Sequence, residues 1–360
     1  MRRLLAAAVT LYVLAPFGRA GADAPLDGRE LYAAACASCH GTDGRGAAHG
    51  TAITVALPDF TDCNFVTREG DGNWEYLVVH GGDGLGLSRQ MPAFADTLTS
   101  EQIRLVLDYV RSFCRDGRWP HADLNFRRPV LTTKAFPEDE ALLIPQLTKS
   151  RNHARLWTTE LAVERRVGPR GQVELALPFT IRDVTDGATT GGVGDVTMAY
   201  KHVLYANRKT LTIASAALDL VVPSGDRHRG LGDGTVSVEP SLLAGRQWDG
   251  MVFQGQVRGV APIDEKRADR AVRYRLAFSY PLSALRRAWV PTVEIEVLQN
   301  VTAQRHHLFV TPEIYKGLTK RGHVAVAAGA QFPVAGDADP FDYRILGFFL
   351  WEYADGGLWW

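Results

Sequence analysis

From about residue 138 to the C-terminus, apolar side chains recur at every second position. Val173, Leu175, Leu177, Phe179 and Ile181 alternate with Glu174, Ala176, Pro178 and Thr180. Val272, Tyr274, Leu276, Phe278 and Tyr280 alternate with Arg273, Arg275, Ala277 and Ser279, and Val293, Ile295 and Val297 with Glu294 and Glu296. A period of two sends successive side chains to opposite faces of a strand, so these segments each carry one apolar and one polar face. About eleven such runs are legible, near 153–167, 171–183, 194–206, 209–222, 235–247, 251–262, 270–283, 289–300, 306–318, 322–334 and 341–353. At about ten residues or more, tilted strands of this kind span a hydrocarbon layer. The chain has no internal apolar run of about 18 residues, but alternating strands carry no such signal.

The connections sharpen the expectation. Gly168-Pro169-Arg170-Gly171, Asn207-Arg208, Trp248-Asp249-Gly250 and Lys320-Arg321-Gly322 read as tight turns. They alternate with longer segments such as 183–194 and 223–234, as short periplasmic turns alternate with long outer loops in membrane barrels. The run at 153–167 then travels toward the periplasm, and a strand must precede it. Ala141 to Lys149 is the candidate, despite Pro145. The expectation is an antiparallel outer-membrane β-barrel of about twelve strands with both ends periplasmic. Glu174, Glu239, Arg258, Arg273, Arg275, Glu294 and Glu296 would line its lumen. In a soluble sandwich the same residues would be solvated. Trp157, Trp248, Trp289, Tyr315, Trp351, Tyr353, Trp359 and Trp360 fall near strand ends. They read either as an interfacial girdle or as ordinary strand packing.

Upstream the pattern is helical. Leu31, Tyr32, Ala35 and Cys36 follow Asp27, and Ile103, Val106, Leu107 and Val110 follow Thr99. Trp74 to His80 reads as a short helix between them. The first helix runs into Cys36-Ala37-Ser38-Cys39-His40. C-x-x-C-H is the attachment signature of a c-type haem, with two thioether bonds to one porphyrin edge and the histidine under the iron. A zinc site, a thioredoxin-like C-x-x-C and a chance match are the competing readings. No second C-x-x-C-H exists, so the motif counts one haem.

Residues 25–116 resemble a class I cytochrome c. The resemblance rests on Cys36-Ala37-Ser38-Cys39-His40-Gly41, Leu57-Pro58-Asp59-Phe60, Met91-Pro92-Ala93-Phe94 and the closing amphipathic helix. It implies an all-α domain, His40 as proximal and Met91 as distal iron ligand, and the Pro58 carbonyl as acceptor for the other His40 nitrogen. His49 and His80 are rival ligands, each read more simply as a surface or hydrogen-bonded histidine. With both axial positions filled, iron passes electrons and offers no open site, so the expectation is an electron carrier and not an enzyme.

The rest bounds the context. Arg2 and Arg3 before the apolar run Leu4 to Leu14, with small residues at Ala20, Ala22 and Ala24, read as a signal peptide over 1–24; an uncleaved anchor is the rival reading. Export fits haem attachment outside the cytoplasm and an oxidising compartment, where Cys63 and Cys114 would pair. Residues 117–137 hold prolines, basic residues and no sustained period, and read as an extended linker to a barrel domain at 138–360. Forty basic and forty acidic side chains leave no net field for nucleic acid.

The barrel segment also resembles an outer-membrane family linked to meta-cleavage phenol degradation and proposed to transport aromatic compounds. The carrying stretches are Glu174-Leu175-Ala176-Leu177-Pro178-Phe179, Gly192-Val193-Gly194-Asp195-Val196, Leu218 to Gly225, and Gly232-Asp233-Gly234. Three functions compete. One is electron transfer by a periplasmic haem domain anchored in the outer membrane of a Gram-negative bacterium, with a periplasmic redox partner. Another is a pore for small-molecule cargo with an accessory cytochrome. The last is a haem enzyme, which two filled axial positions disfavour.

Overall fold

The computed structural model describes residues 27–46, 52–150, 154–183, 189–337 and 340–355. The proposed signal peptide, His49, Trp359 and Trp360 lie outside them.

The N-terminal unit holds five helices: α1 (Gly28–Ala35), α2 (Ala37–His40), α3 (Cys63–Val66), α4 (Asp71–His80) and α5 (Ser100–Arg111). Asp27 caps α1, accepting from the Glu30 amide while Glu30 reaches back to the Asp27 amide. Thr99 and Gln102 make the same reciprocal cap on α5. The two helices meet without a side chain between them at Gly28, where a Cβ would lie 2.2 Å from the Leu105 carbonyl oxygen. Leu31 and Tyr32 of α1 are buried with Val106 and Val110 of α5, Phe60 and Val66. Ile103 and Leu107 turn instead toward Val78 of α4.

The rest of the chain is one closed antiparallel sheet. Its segments are β1 (Glu140–Lys149), β2 (Arg155–Val167), β3 (Gly171–Asp183), β4 (Thr189–Val193), β5 (Val196–Asn207), β6 (Thr212–Val222), β7 (Ser237–Trp248), β8 (Met251–Pro262), β9 (Ala271–Ser279), β10 (Trp289–Asn300), β11 (Arg305–Gly317), β12 (Val324–Gly336) and β13 (Tyr343–Trp351). β4 pairs with the far half of β3 and β5 with its near half, so they are two parts of one stave broken at Gly194-Asp195. β1 pairs with both β2 and β13, which closes a barrel of twelve staves. Pro145 is tolerated because pairing with β13 is interrupted between Leu143 and Gln146.

The two faces of the wall have opposite chemistry. Outward-pointing Leu161, Leu175, Leu218, Leu242, Leu276 and Val334 are each half exposed or more. They belong to an apolar belt far larger than a water-soluble protein leaves uncovered, so the barrel is of the outer-membrane type. Inward-pointing Glu140, Glu164 and Glu294 are at most 1% exposed. Trp157, Trp248 and Trp289 point outward and are well exposed. Tyr315 does not belong with them: it faces the lumen, 3% exposed, with its ring near Phe348. Its neighbours in register, not its nearness to a strand end, set its side.

Two further expectations need correction. Connection length does not sort by end: the far end has a tight link at 301–304, and the near end has the long segment 280–288. That segment is long because the helical unit rests on it. Residues 117–137 are also no free spacer. They enter the lumen and return to β1. There the amides of Val130, Leu131 and Thr132 donate to Glu313 and Glu294. Lys201 donates to the carbonyls of Lys134 and Phe136, and Ser215 to that of Ala135. Arg128 bridges Glu140 and Glu164 at 2.8 and 2.6 Å. Lys134 bridges Glu138 and Glu140 at 2.5 and 3.4 Å.

The helical unit therefore sits on the barrel mouth and does not hang from it. Arg208, in the turn between β5 and β6, pairs with Asp71 at 2.5 Å, Asp108 at 2.8 Å and Asp123 at 3.5 Å. Asp71 also holds Arg111 at 2.8 Å. Asn73 donates to the Arg321 carbonyl, and Lys320 to that of Asp83. Arg287 lies over the Tyr76 ring. Glu69 pairs with His323, and Arg286 with Glu352, in one buried network. Burial works against ionising Glu69, but His323 and Arg286 hold its carboxyl down to about 2.

Removing one partner of a buried ion pair leaves an uncompensated charge, which costs about 3–5 kcal/mol. Lys134→Ala is expected to loosen the lumenal segment, seen as faster amide hydrogen exchange at 130–136 with the barrel's heat-shifted gel mobility retained. The Glu69 carboxyl is depressed, so its contribution to docking is complete above its ordinary value of 4.5 and is lost as pH falls toward about 2. Exchange at the 319–323 turn should therefore rise between pH 5 and pH 2, and Glu69→Gln should abolish that dependence.

Candidate functional site

The helix break at Cys36 builds the site. Cys36 ends α1, its amide donating to the Tyr32 carbonyl at 2.9 Å, and at once begins the single turn of α2. Its carbonyl then accepts from the amides of Cys39 and His40 at 3.1 and 2.9 Å. This turn gathers two sulfurs and an imidazole within five residues. Gly41 ends it at φ +75°, where a Cβ would meet the Gly46 carbonyl oxygen at 2.6 Å. The Tyr32 hydroxyl donates to the Gly41 carbonyl at 2.8 Å, and the Gly46 amide to that of His40 at 2.9 Å. The Phe60 ring lies 5.0 Å from the imidazole.

The chemistry of the donors discriminates among the readings of C-x-x-C-H. Burial, reinforced by the neighbouring Cys39, pushes the Cys36 thiol up to about 11. Redox-active and zinc-binding cysteines work as thiolates, which this setting disfavours. Among the described residues, no cluster of three His, Cys, Asp or Glu donors includes either cysteine. Burial also lowers the His40 pKa, which favours the neutral imidazole that iron requires. Its Nδ1 is enclosed and has no hydrogen-bond partner, so the bond to the Pro58 carbonyl is not formed here. That leaves Nε2 as the ring nitrogen open to a ligand. These features fit a haem.

Met91 lies on the loop between α4 and α5. Its carbonyl accepts from the Gly82 amide at 3.1 Å, and its own amide donates to Ser88 at 3.2 Å. Gly81, at φ +72°, lets the loop close: a Cβ there would be 2.9 Å from the Met91 carbonyl oxygen. The Met91 side chain packs with Val78, Ile103, Leu107 and Phe94. His80 is exposed, its ring tilted against that of Tyr76 with centroids 4.1 Å apart. Cys63 and Cys114 are joined as a disulfide that ties α3 to the segment after α5.

Sequence reasoning missed a clamp. The Gln90 side chain accepts from the Thr54 amide and hydroxyl at 3.1 and 3.2 Å and donates to the Ala52 carbonyl at 3.1 Å. It laces the segment leading to Pro58 onto the Met91 loop. Only its place beside Met91 could have suggested this. The cation–π contact of Arg111 over Trp74, at 3.8 Å, was equally hidden because it joins different helices.

Comparison with known proteins adds two independent likenesses. Residues 23–110 match the family described as cytochrome C oxidase, cbb3-type, subunit III, and a cytochrome c domain implies a haem c cofactor. No curated protein matches the chain. Among solved structures, the COG4313 outer membrane channel from Pseudomonas putida F1 is 12% identical, with 62% of this chain and 98% of that one covered and a TM-score of 0.47. The KdgM porin is 7% identical, covering 59% and 99% at a TM-score of 0.42. The beta domain of the Bordetella autotransporter Brka is 14% identical, covering 59% and 98% at 0.40. The chain thus joins an N-terminal domain that matches a cytochrome c family to a twelve-stranded antiparallel barrel of the outer-membrane type.

Proposed function

We propose that this protein is an electron carrier whose single haem c is bonded to Cys36 and Cys39, with His40 and Met91 as axial ligands. The observation that carries the reading is the Cys36–His40 turn, which presents two cysteine sulfurs and a neutral imidazole in one small domain with the Met91 loop. The haem supplies one-electron transfer. The chain's own groups do the rest. His40 offers a soft neutral nitrogen, and Met91 a thioether that favours ferrous iron and raises the potential. Val78, Ile103, Leu107 and Phe94 keep the Met91 side dry. The cytochrome resemblance assigns the Pro58 carbonyl to His40 Nδ1, a bond absent from this structure.

The haem domain is read as periplasmic and the barrel as its anchor in the outer membrane. The export signal and the seat of the helical unit, at the mouth where β1 begins and β13 ends, support that placement. One haem does not bridge a membrane band about 25 Å tall. Electron exchange is therefore assigned to the periplasmic side, with a soluble or membrane-bound redox partner. The segment held across the lumen favours anchoring over free passage of cargo, and the cavity beside Thr133 is about 30 Å³.

The oxidised protein should show an absorbance band near about 695 nm that Met91→Ala abolishes, together with a lower midpoint potential. Fast carbon monoxide binding to the ferrous wild type would overturn Met91 ligation. Cys36→Ser with Cys39→Ser should remove haem staining from the denatured band. Reduction of the haem in intact cells by a membrane-impermeant reductant would overturn the periplasmic placement. In proteoliposomes the protein is expected to give no uptake of small aromatic solutes above protein-free vesicles; clear uptake would favour the pore reading.

A further inference from the structure

We propose that the half of the lumen away from the haem domain holds a binding site for a small oxyanion, built on Arg273 and Arg344. The case begins with a charge imbalance. Arg258, on β8, is matched by Asp219 at 2.8 Å and Glu239 at 3.3 Å. Three more guanidiniums, Arg273 and Arg275 on β9 and Arg344 on β13, gather around Glu296 on β10, with Glu239 also near Arg273 and Glu294 near Arg275. Glu296 is already engaged by Arg275 at 2.6 Å, and Arg275 is fixed further by the Leu131 carbonyl of the lumenal segment, also at 2.6 Å. Among the described residues the contacts of Arg344 are neutral: the Thr148 hydroxyl at 3.1 Å, the Gln331 side-chain oxygen at 2.9 Å and the Phe341 ring at 4.3 Å. Arg273 makes no ion pair among the described residues, and its Nε is enclosed without a partner. Among the described residues, then, neither Arg273 nor Arg344 has a carboxylate at ion-pair distance, and the nearest ones are held by Arg258 and Arg275.

The wall beside them supplies further polar groups with nothing to bind. Gln331 Nε2 and Thr311 Oγ1 are enclosed and unpartnered, in side chains at most 1% exposed. The His307 Nδ1 is likewise unpartnered. β11 brings His307 and Thr311 inward, and β12 sets Gln331 opposite Arg344 in register. Phe341 is held against Phe309 by a stacked contact at 5.2 Å, and it backs the Arg344 plane. Guanidinium planes held in this way match the two-oxygen edge of a carboxylate or phosphate. Arg273 and Arg344 are both partly exposed, so an ion from solvent reaches them. Leu131, whose carbonyl accepts from Arg275, borders the site on the side of the haem domain. The site does not depend on the electron-transfer reading.

The test is isothermal titration of the full haem-loaded protein in detergent, in chloride-free buffer, with sodium acetate and separately with sodium phosphate. The expected result is saturable one-to-one binding of at least one of them that weakens as ionic strength rises. Arg273→Gln and Arg344→Gln should each weaken it about tenfold, the loss of one charge-assisted contact. Arg267→Gln on the exposed far loop should leave it unchanged. Binding of acetate alone assigns a carboxylate ligand, and of phosphate alone a phosphate. Heat-shifted gel mobility checks that each variant is a folded barrel. Absence of saturable binding of both ions up to about 10 mM, or equal binding by the two folded glutamine variants, would overturn the site.

Discussion

The interior of the barrel is what the structure has to solve. Alternating strands that give lipid an apolar face give the lumen a polar one, and in this chain that face carries carboxylates. Glu140, Glu164 and Glu294 are buried almost completely. Buried carboxylates without partners are costly enough to unfold a domain of ordinary stability. The partners come from the segment just upstream of β1: Arg128 and Lys134 as cations, and the amides of residues 130–132 as donors. Sealing the lumen and satisfying its charges are one event.

That solution places the haem domain. A segment used as lumen filling cannot also serve as a long tether, so the helical unit is drawn onto the mouth. Arg208 and Arg111 then meet Asp71 from two sides, and the 280–288 connection lengthens to receive α4. Surface ion pairs contribute little singly, but here they form a partly buried network in which Glu69, His323, Arg286 and Glu352 share charge. The result is a helical domain held in one orientation on the barrel mouth.

Much of this was legible in the residues. The haem motif is local: Cys36, Cys39 and His40 are neighbours in sequence and remain so on one helical turn. The staves were legible because their period matches the pleat, and Val173 to Ile181 could point only one way. What was not legible was long-range. Arg128 and Lys134 look like ordinary linker cations until their carboxylates arrive from β1 and β2. Tyr315 reads as an interfacial aromatic until the register of β11 turns it inward. The Gln90 clamp joins loops far apart in sequence, and no spacing announces it.

By itself, then, the sequence determined the local chemistry and the periodic architecture: a c-type haem motif followed by about twelve strands with one apolar face. Those follow from spacing, because covalent reach and strand pleat are properties of neighbouring residues. Only the tertiary structure decided that the linker fills the lumen, that the helical domain is seated on the barrel, and that Arg273 and Arg344 form no ion pair among the described residues. Each of these depends on which charges closure of the barrel brings face to face, and closure is a property of the whole chain.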